Sequence, residues 1–292
     1  MPKFDENSKP FQKQVFRYTA ITFIGVLLII NLVVYFTEIA TTMSNTKSTL
    51  KEIATNVAVN VSNVTHDEII TNDQQDSQEY IEIESYFQNI IAANPIIDDI
   101  YTLRTTSDPN VMTFVVAGKE TYDANGDNFI DDTEIRPEVG EEYDVTGLDD
   151  LKNGLIAPSV DKAITTNKWG QWLSGYAPIV DDKKQTVAIL GVDQAASDIA
   201  DQSQGILYSL LYMDIVLLPL MLMLAYFMAR IVSRPFRILA KGMQRISHGE
   251  LDYRLPIGER GPQAMFVSLF NNMLGMFQNA EKHERKHHDL NE

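Results

Sequence analysis

The chain has 292 residues, with 40 Asp and Glu against 24 Lys and Arg, five His and no Cys. A net charge of −16 excludes a protein that holds nucleic acid by neutralising phosphates on a basic face. Without Cys there is no disulfide, no Cys-ligated zinc, no iron–sulfur cluster and no thiol nucleophile, and the length leaves room for about two modest domains.

The first 17 residues carry Lys9, Lys13 and Arg17, and Tyr18–Phe36 then runs for nineteen residues without a charge. That run spans a hydrocarbon core of ~30 Å and is too long for a cleaved signal peptide. A second apolar run, Ile206–Ala229, contains Asp214 and Pro219. An acid at mid-bilayer costs about 2.5–3.5 kcal/mol. The span is therefore expected at 211–231, with Asp214 near the outer interface beside Tyr208 and Tyr212. Arg230, Arg234, Arg237, Lys241 and Arg245 follow it, so the excess of Lys and Arg near the apolar ends places both termini in the cytoplasm. Residues 38–205 then face outward. They hold 30 acids against 10 bases, net −20, and the rest of the chain is +4.

In the outward segment, Leu50, Ile53, Val57, Val61 and Val64 trace one stripe of a helix expected across 38–70. A second helix is expected over Glu79–Ala93, stopping before Asn94-Pro95. Strands are expected at Ile97–Arg104 and Val111–Val116, separated by the turn cluster Ser107–Asn110. A short helix (Leu148–Leu155) precedes two further strands, Gln171–Val180 and Thr186–Val192, joined by Asp181–Lys184. Helices packed on an antiparallel sheet account for this order.

Asp123–Glu134 reads DANGDNFIDDTE. Oxygen side chains fall at positions 1, 3, 5, 9 and 12 (Asp123, Asn125, Asp127, Asp131, Glu134), and Phe129 at position 7 can offer its carbonyl. This is the spacing of an EF-hand-type loop, which wraps one Ca²⁺ in hard oxygens. Asn128 stands where Gly usually makes the sharp turn, and Asn tolerates positive φ better than most residues. No amphipathic helix pair flanks the loop, so a bound calcium ion would act as a structural clamp on crowded carboxylates rather than build an EF-hand domain.

After the second span, Val232, Phe236, Leu239, Met243 and Ile246 step by 4, 3, 4 and 3, a heptad seam. Phe266, Phe270, Met273, Phe277 and Ala280 repeat those steps. The tail holds His283-Glu284-Arg285-Lys286-His287, formally H-E-x-x-H. A zinc protease also needs a third ligand and a cleft, which a charged helix does not offer, so no enzyme is expected.

Two stretches resemble known families. Trp169–Asp193, WGQWLSGYAPIVDDKKQTVAILGVD, resembles the C-terminal half of extracytoplasmic Cache domains, the PAS-like sensors of bacterial receptors. Tyr86–Arg104 resembles the matching helix and first strand. This resemblance implies a small-molecule ligand, with Tyr101, Arg104, Trp172, Tyr176 and Asp193 as candidate binding residues. The same side chains would also suit a plain core, with Asp193 capping the next helix. Ser233–Pro256, with Pro235, Gly249–Leu251 and the later Phe270-Asn271 and Met273, resembles a HAMP signalling linker. That resemblance implies a parallel four-helix bundle formed by a homodimer, with Leu251 and Leu255 packing on it. Gly261-Pro262 stands where the family often has Asp-Glu.

The expectation is an α+β membrane protein: cytoplasmic residues 1–17, spans at 18–36 and 211–231, a PAS-like sensor at 38–205, HAMP at 232–284 and a tail at 285–292. It would act as a receptor in the cell membrane, relaying a small extracellular ligand to a cytoplasmic output partner. The alternatives are a fragment of a larger kinase, cyclase or chemoreceptor, or a Ca²⁺-dependent adhesion or assembly subunit.

Overall fold

The computed structural model describes residues 9–61, 66–121, 123, 126–181, 183–250, 252–255 and 262–288. They form two units, Val34–Ser209 and Met1–Val33 with Leu210–Glu292, whose boundaries fall inside two long helices, α1 (Lys9–Val61) and α4 (Ala196–Ser247).

In the unit Val34–Ser209, α2 (Gln78–Ala93) starts where the Ser77 hydroxyl accepts from the Tyr80 amide at 3.2 Å. It ends at Asn94, because Pro95 disfavours helical backbone in the residue before it. The strands are β1 (Asp99–Thr105), β2 (Val111–Ala117), β3 (Glu142–Asp144), β4 (Ser159–Val160), β5 (Thr165–Asn167), β6 (Gly170–Val180) and β7 (Thr186–Ala195), with α3 (Asp149–Gly154) between β3 and β4. They make one antiparallel sheet in the order β3-β2-β1-β7-β6-β4, with β5 also paired to β6.

Strand alternation divides the core between the two faces of this sheet. Ile100, Leu173, Ala177, Leu190 and Val192 pack with Leu50 and Val57 of α1 and Phe87 of α2. The other face carries Tyr101, Leu103, Phe114, Tyr176 and Ile189, together with Leu151 of α3. Gly175 allows α1 to lie this close, since a Cβ there would come within 2.6 Å of the Leu50 carbonyl carbon.

The helix expected to continue to residue 70 does not reach it: α1 is described to Val61, residues 62–65 lie outside the described residues, and His66–Glu68 form a separate 3₁₀ turn. Tertiary bonds replace helical ones there. His66 Nε2 lies 2.9 Å from Thr102 Oγ1, and the Arg104 guanidinium donates to the carbonyls of Ile69 (2.9 Å) and His66 (3.3 Å). Val64, the last residue of the expected stripe, lies outside the described residues.

In the second unit, both α1 and α4 are long and apolar enough to cross a membrane. Small residues, Ala20 on α1 and Ala225, Ala229 and Ser233 on α4, are buried, whereas Leu28, Ile29, Leu220 and Met223 are exposed. That pattern suits helices that touch through small residues and turn large ones to lipid. Asn31 Nδ2 donates to Asp214 Oδ2 at 2.6 Å, a pairing that the interfacial placement of Asp214 did not foresee. The helix α5 (Pro262–His288) packs on α4 and the connector through Leu255, Val267, Phe270 and Leu274, flanked by Ile238, Leu239 and Ile246. Asn271 pins the connector by accepting from the Leu255 amide and donating to its carbonyl, both at 2.9 Å. Leu251 and Pro256 lie outside the described residues, as do Gly261 and the side chains of the H-E-x-x-H run.

Candidate ligand-binding site

A cavity partly open to solvent lies on the sheet face opposite α1 and α2. Two strand pairs and two further segments build it. Strands β1 and β7 supply Asp99, Tyr101 and Asp193, β2 and β3 supply Phe114 and Tyr143, and the run from Asn167 into β6 supplies Trp169 and Trp172. The segment Thr133–Pro137, which begins with the last two residues of the acidic loop, completes the wall.

The aromatic side is mutually braced. Phe114 meets Trp169 edge-on at 5.3 Å and Tyr143 at 5.5 Å, and Tyr101 meets Phe114 at 5.7 Å. Trp169 Nε1 donates to the Ile135 carbonyl (2.8 Å) and Trp172 Nε1 to Asn167 Oδ1 (3.0 Å), which fixes both indoles. Gly191, facing Tyr101 across β1 and β7, is required by that ring: a Cβ there would lie 2.5 Å from Tyr101 Cζ.

The polar side is acidic and largely buried. Asp193 is 5% exposed and its Oδ1 has no hydrogen-bond partner. Burial pushes its carboxyl well above the usual range, against the pull of the Ser174 and Tyr101 hydroxyls. Asp99 is pushed up to about 7, again mainly by burial, with Lys119 drawing it down. Asp161, behind the pocket, is pushed up to about 6 by burial, although Ser174 N donates to its Oδ2 at 3.0 Å and the Tyr176 hydroxyl at 3.4 Å. On the cationic side, Lys119 Nζ stands 5.6 Å from the Trp172 ring centre, and Arg136 pairs with Glu84 of α2.

Of the five candidates drawn from the sequence, the structure brings Tyr101, Trp172 and Asp193 together on this lining. Arg104 is turned away. Even-numbered residues of β1 point to the helix side, and its guanidinium holds the Ile69 and His66 carbonyls. Tyr176 lies in the core cluster of the pocket face with its hydroxyl on Asp161, and is not on the lining. Asp99, Phe114, Lys119, Arg136, Tyr143 and Trp169, also on the lining, were not among the candidates, and Glu134 was named only as a metal ligand. Period-2 counting back from Tyr101 gives Asp99, but no sequence signal brings Arg136 or Tyr143 to the same cavity.

In the acidic loop, Asp123 accepts from the amides of Gly126 (2.7 Å), Asp127 (3.2 Å) and Asn128 (2.7 Å). Asn128 takes φ 66°, the left-handed conformation that the spacing demands at that position. Asp127 accepts from Phe129 N at 2.8 Å, Asp131 from Thr133 N at 2.8 Å, and Glu134 from Asp131 N at 3.3 Å. Asn125 lies outside the described residues. Among the described residues, no three His, Asp or Glu side chains converge in a geometry ready for a metal.

The HAMP domain family model matches residues 227–262, which contain the end of the second apolar helix and the connector. Solved structures similar to the chain include the Campylobacter jejuni chemoreceptor Tlp3 ligand-binding domain with L-valine, at 11% identity, TM-score 0.34 and 66% coverage of each chain. The Tlp3 sensory domain with isoleucine bound matches at 10% identity, TM-score 0.33 and 66% of each chain. The periplasmic sensory domain of C. jejuni Tlp1 matches at 12% identity and TM-score 0.35, over 56% of this chain and 59% of that one. The chain thus spans just under two thirds of the first of these, and the likeness does not extend to residues or ligands. No curated protein matches. A HAMP segment running on from the second apolar helix, with a helix-backed antiparallel sheet unit between the two spans, is the build of a transmembrane signal receptor.

Proposed function

We propose that this receptor takes a small extracellular molecule bearing an ammonium group and an apolar part into the cavity of the unit 34–209, and relays its presence through HAMP to a cytoplasmic output. One observation carries the reading: a buried carboxylate oxygen without a partner, Asp193 Oδ1, lies on the lining of a cavity walled by aromatic side chains. A buried acceptor left unpaired costs about 1–3 kcal/mol, which a donor on the ligand recovers. The aromatic walls would hold the apolar part, and Lys119 could meet a carboxylate.

Both termini are cytoplasmic in this reading, on the strength of the Lys and Arg flanking the apolar runs. Signal passes because β7 runs without a break into α4, the helix that carries the second span and the first HAMP segment. Closure on a ligand would favour one of two packings of a homodimeric bundle. Its support is the heptad seam, whose Phe236, Met243, Phe266, Met273 and Phe277 are all exposed in the single chain. The loop Asp123–Glu134 binds one Ca²⁺ that ties down the Thr133–Pro137 wall, a reading supported by ligand spacing and the left-handed Asn128.

The test uses the full chain in lipid nanodiscs. Fluorescence of Trp169 and Trp172, the two tryptophans of the chain, should change saturably with L-valine or another small amino acid, and the change should vanish in Asp193→Asn. A panel of ammonium-bearing metabolites that leaves fluorescence and thermal midpoint unmoved would defeat the reading. Calorimetry with CaCl₂ should register one site that Glu134→Gln abolishes.

A further inference from the structure

Asp99 and Asp193 occupy facing register positions on β1 and β7. Residues directly opposite in an antiparallel pair stand about 4.5–5.5 Å apart at Cα and share a face, and both of these line the cavity. Two carboxylates at facing positions, on a lining that includes Phe114, Trp169 and Trp172, repel if both are ionised, and Asp99 disfavours the charged form of Asp193. Asp99 is partly satisfied: its Oδ1 accepts from the amides of Ile100 (2.8 Å) and Lys119 (2.9 Å). Asp193 Oδ1 accepts nothing.

We propose that Asp99 and Asp193 form one ammonium subsite that holds a proton until a ligand's ammonium group takes its place. The inference rests on the receptor reading of the cavity and adds to it a second anchoring carboxylate and a proton cost for binding. The exchange balances: the protonated carboxyl loses H⁺ to solvent, and the carboxylate so formed pairs with the incoming R–NH₃⁺.

Neighbouring charges decide which carboxyl keeps the proton. Lys119 favours the charged form of Asp99, while Asp98 beside it disfavours that form. Asp161, across Ser174, disfavours the charged form of Asp193, and Ser174 and Tyr101 oppose this with their hydroxyls. Tyr176 and Tyr143 face the same cluster and are neutral, being raised by burial. Tyr80 of α2, on the far side of Asp99, is raised likewise. Of the other charged groups on the lining, Arg136 is committed to Glu84 and Glu134 belongs to the acidic loop. Among the described residues neither Asp99 nor Asp193 has an ion pair within 4 Å. The direction of both carboxyls, Asp99 to about 7 and Asp193 well above its usual value, agrees with a proton held between them.

The sign follows from linkage. While the pair holds the proton, each bound ammonium releases one, so affinity rises about tenfold per pH unit and levels off once the pair ionises unaided. The experiment is infrared difference spectroscopy on the full chain in nanodiscs at about pH 6, with L-valine, isobutylamine and isobutyrate as probes. The expected result is a protonated-carboxyl band that L-valine or isobutylamine removes and isobutyrate leaves in place. Asp99→Asn and Asp193→Asn should each abolish that loss while keeping a cooperative thermal transition; one of the two remains informative if the other fails to fold. Absence of the band, or its persistence under both ammonium probes, overturns the proposal. If L-valine changes tryptophan fluorescence while the band persists, the receptor reading stands and the proton exchange alone falls.

Discussion

The two units dispose of their apolar residues in opposite ways. Between Val34 and Ser209 both faces of the sheet are covered, with Phe87, Leu103, Leu173, Ile179 and Leu190 at 0–1% exposure. In the other unit the buried cluster is four residues with a few flanking neighbours, while large side chains such as Phe236 (56%) and Met276 (75%) stand open. The first unit carries its own core. The second leaves large apolar side chains exposed, which in the proposed reading face lipid along the apolar helices and a second copy along the heptads.

The largest expected effect tests that contrast directly. Phe87→Ala removes a fully buried ring between α2 and the sheet and should cost about 3–5 kcal/mol. It is read from the denaturant midpoint of tryptophan fluorescence, since both indoles sit in that unit. Met243→Ala, 63% exposed, should leave that midpoint within about 0.5 kcal/mol. It should nevertheless weaken cysteine cross-linking between copies at position 239. An equal loss of midpoint in the two variants would erase the distinction between the units.

The sensor unit stores its cost in buried acids, which gives the second test. Asp161 has its carboxyl raised to about 6 from an ordinary 3.8, so the fold favours the protonated form. The stability this form contributes is present below about pH 4, is lost as pH rises through about 6, and stays lost above it. Asp161→Asn keeps an oxygen for Ser174 N and the Tyr176 hydroxyl and removes the charge. It should therefore stabilise the unit by about 2 kcal/mol near pH 8 and by nothing near pH 4. A gain that does not depend on pH would mean that the charge is not its source. His66 runs the other way: burial lowers it to about 4, so acid below about pH 6.5 favours unfolding at that residue.

Where the chain was legible, local pattern carried the reading. β-rich runs bounded by turn clusters placed the four long strands within two or three residues of their bounds, and Asn94-Pro95 fixed the end of α2. Apolar length found the two helices long and apolar enough to cross a membrane, and the first heptad run lies in the segment that the HAMP model matches. What periodicity cannot give is which side chain a distant segment meets. Arg104 has the chemistry to hold a carboxylate, yet strand parity turns it to two backbone carbonyls. Trp169 and Arg136 reach the cavity because the segment after the acidic loop folds back over the sheet, a long-range contact with no local signature. The seam was legible as a repeat, but most of its residues, Phe236, Met243, Phe266, Met273 and Phe277 among them, stay exposed within one chain, so its purpose shows only as exposure.

Two smaller effects sharpen the account of the second unit. Asn271→Ala frees both backbone groups of Leu255 and should cost about 1–2 kcal/mol of connector packing. It is read as faster hydrogen exchange confined to 252–255, and unchanged exchange there would place the hold on the connector in Leu255 packing alone.

The smallest expected effect, that of Asn31→Leu, concerns a polar bond between the two apolar helices. Asn31 and Asp214 meet at 2.6 Å, and the remaining side-chain oxygen of each is buried without a partner. Hydrogen bonds between membrane helices average only about 0.6 kcal/mol, because the separated helices also find partners. Asn31→Leu should therefore weaken pairing of the spans by about that amount, while Asp214→Leu, which also removes an acid from the apolar run, should strengthen insertion by up to about 2–3 kcal/mol. Opposite signs in a glycosylation-mapped insertion assay would mean that the pair is kept at a net cost, with Asn31 present to compensate Asp214. If Asn31→Leu cost as much as Phe87→Ala, the spans would owe their pairing to one bond, and the contrast between a self-sufficient sensor and a partner-dependent relay would fail at the membrane.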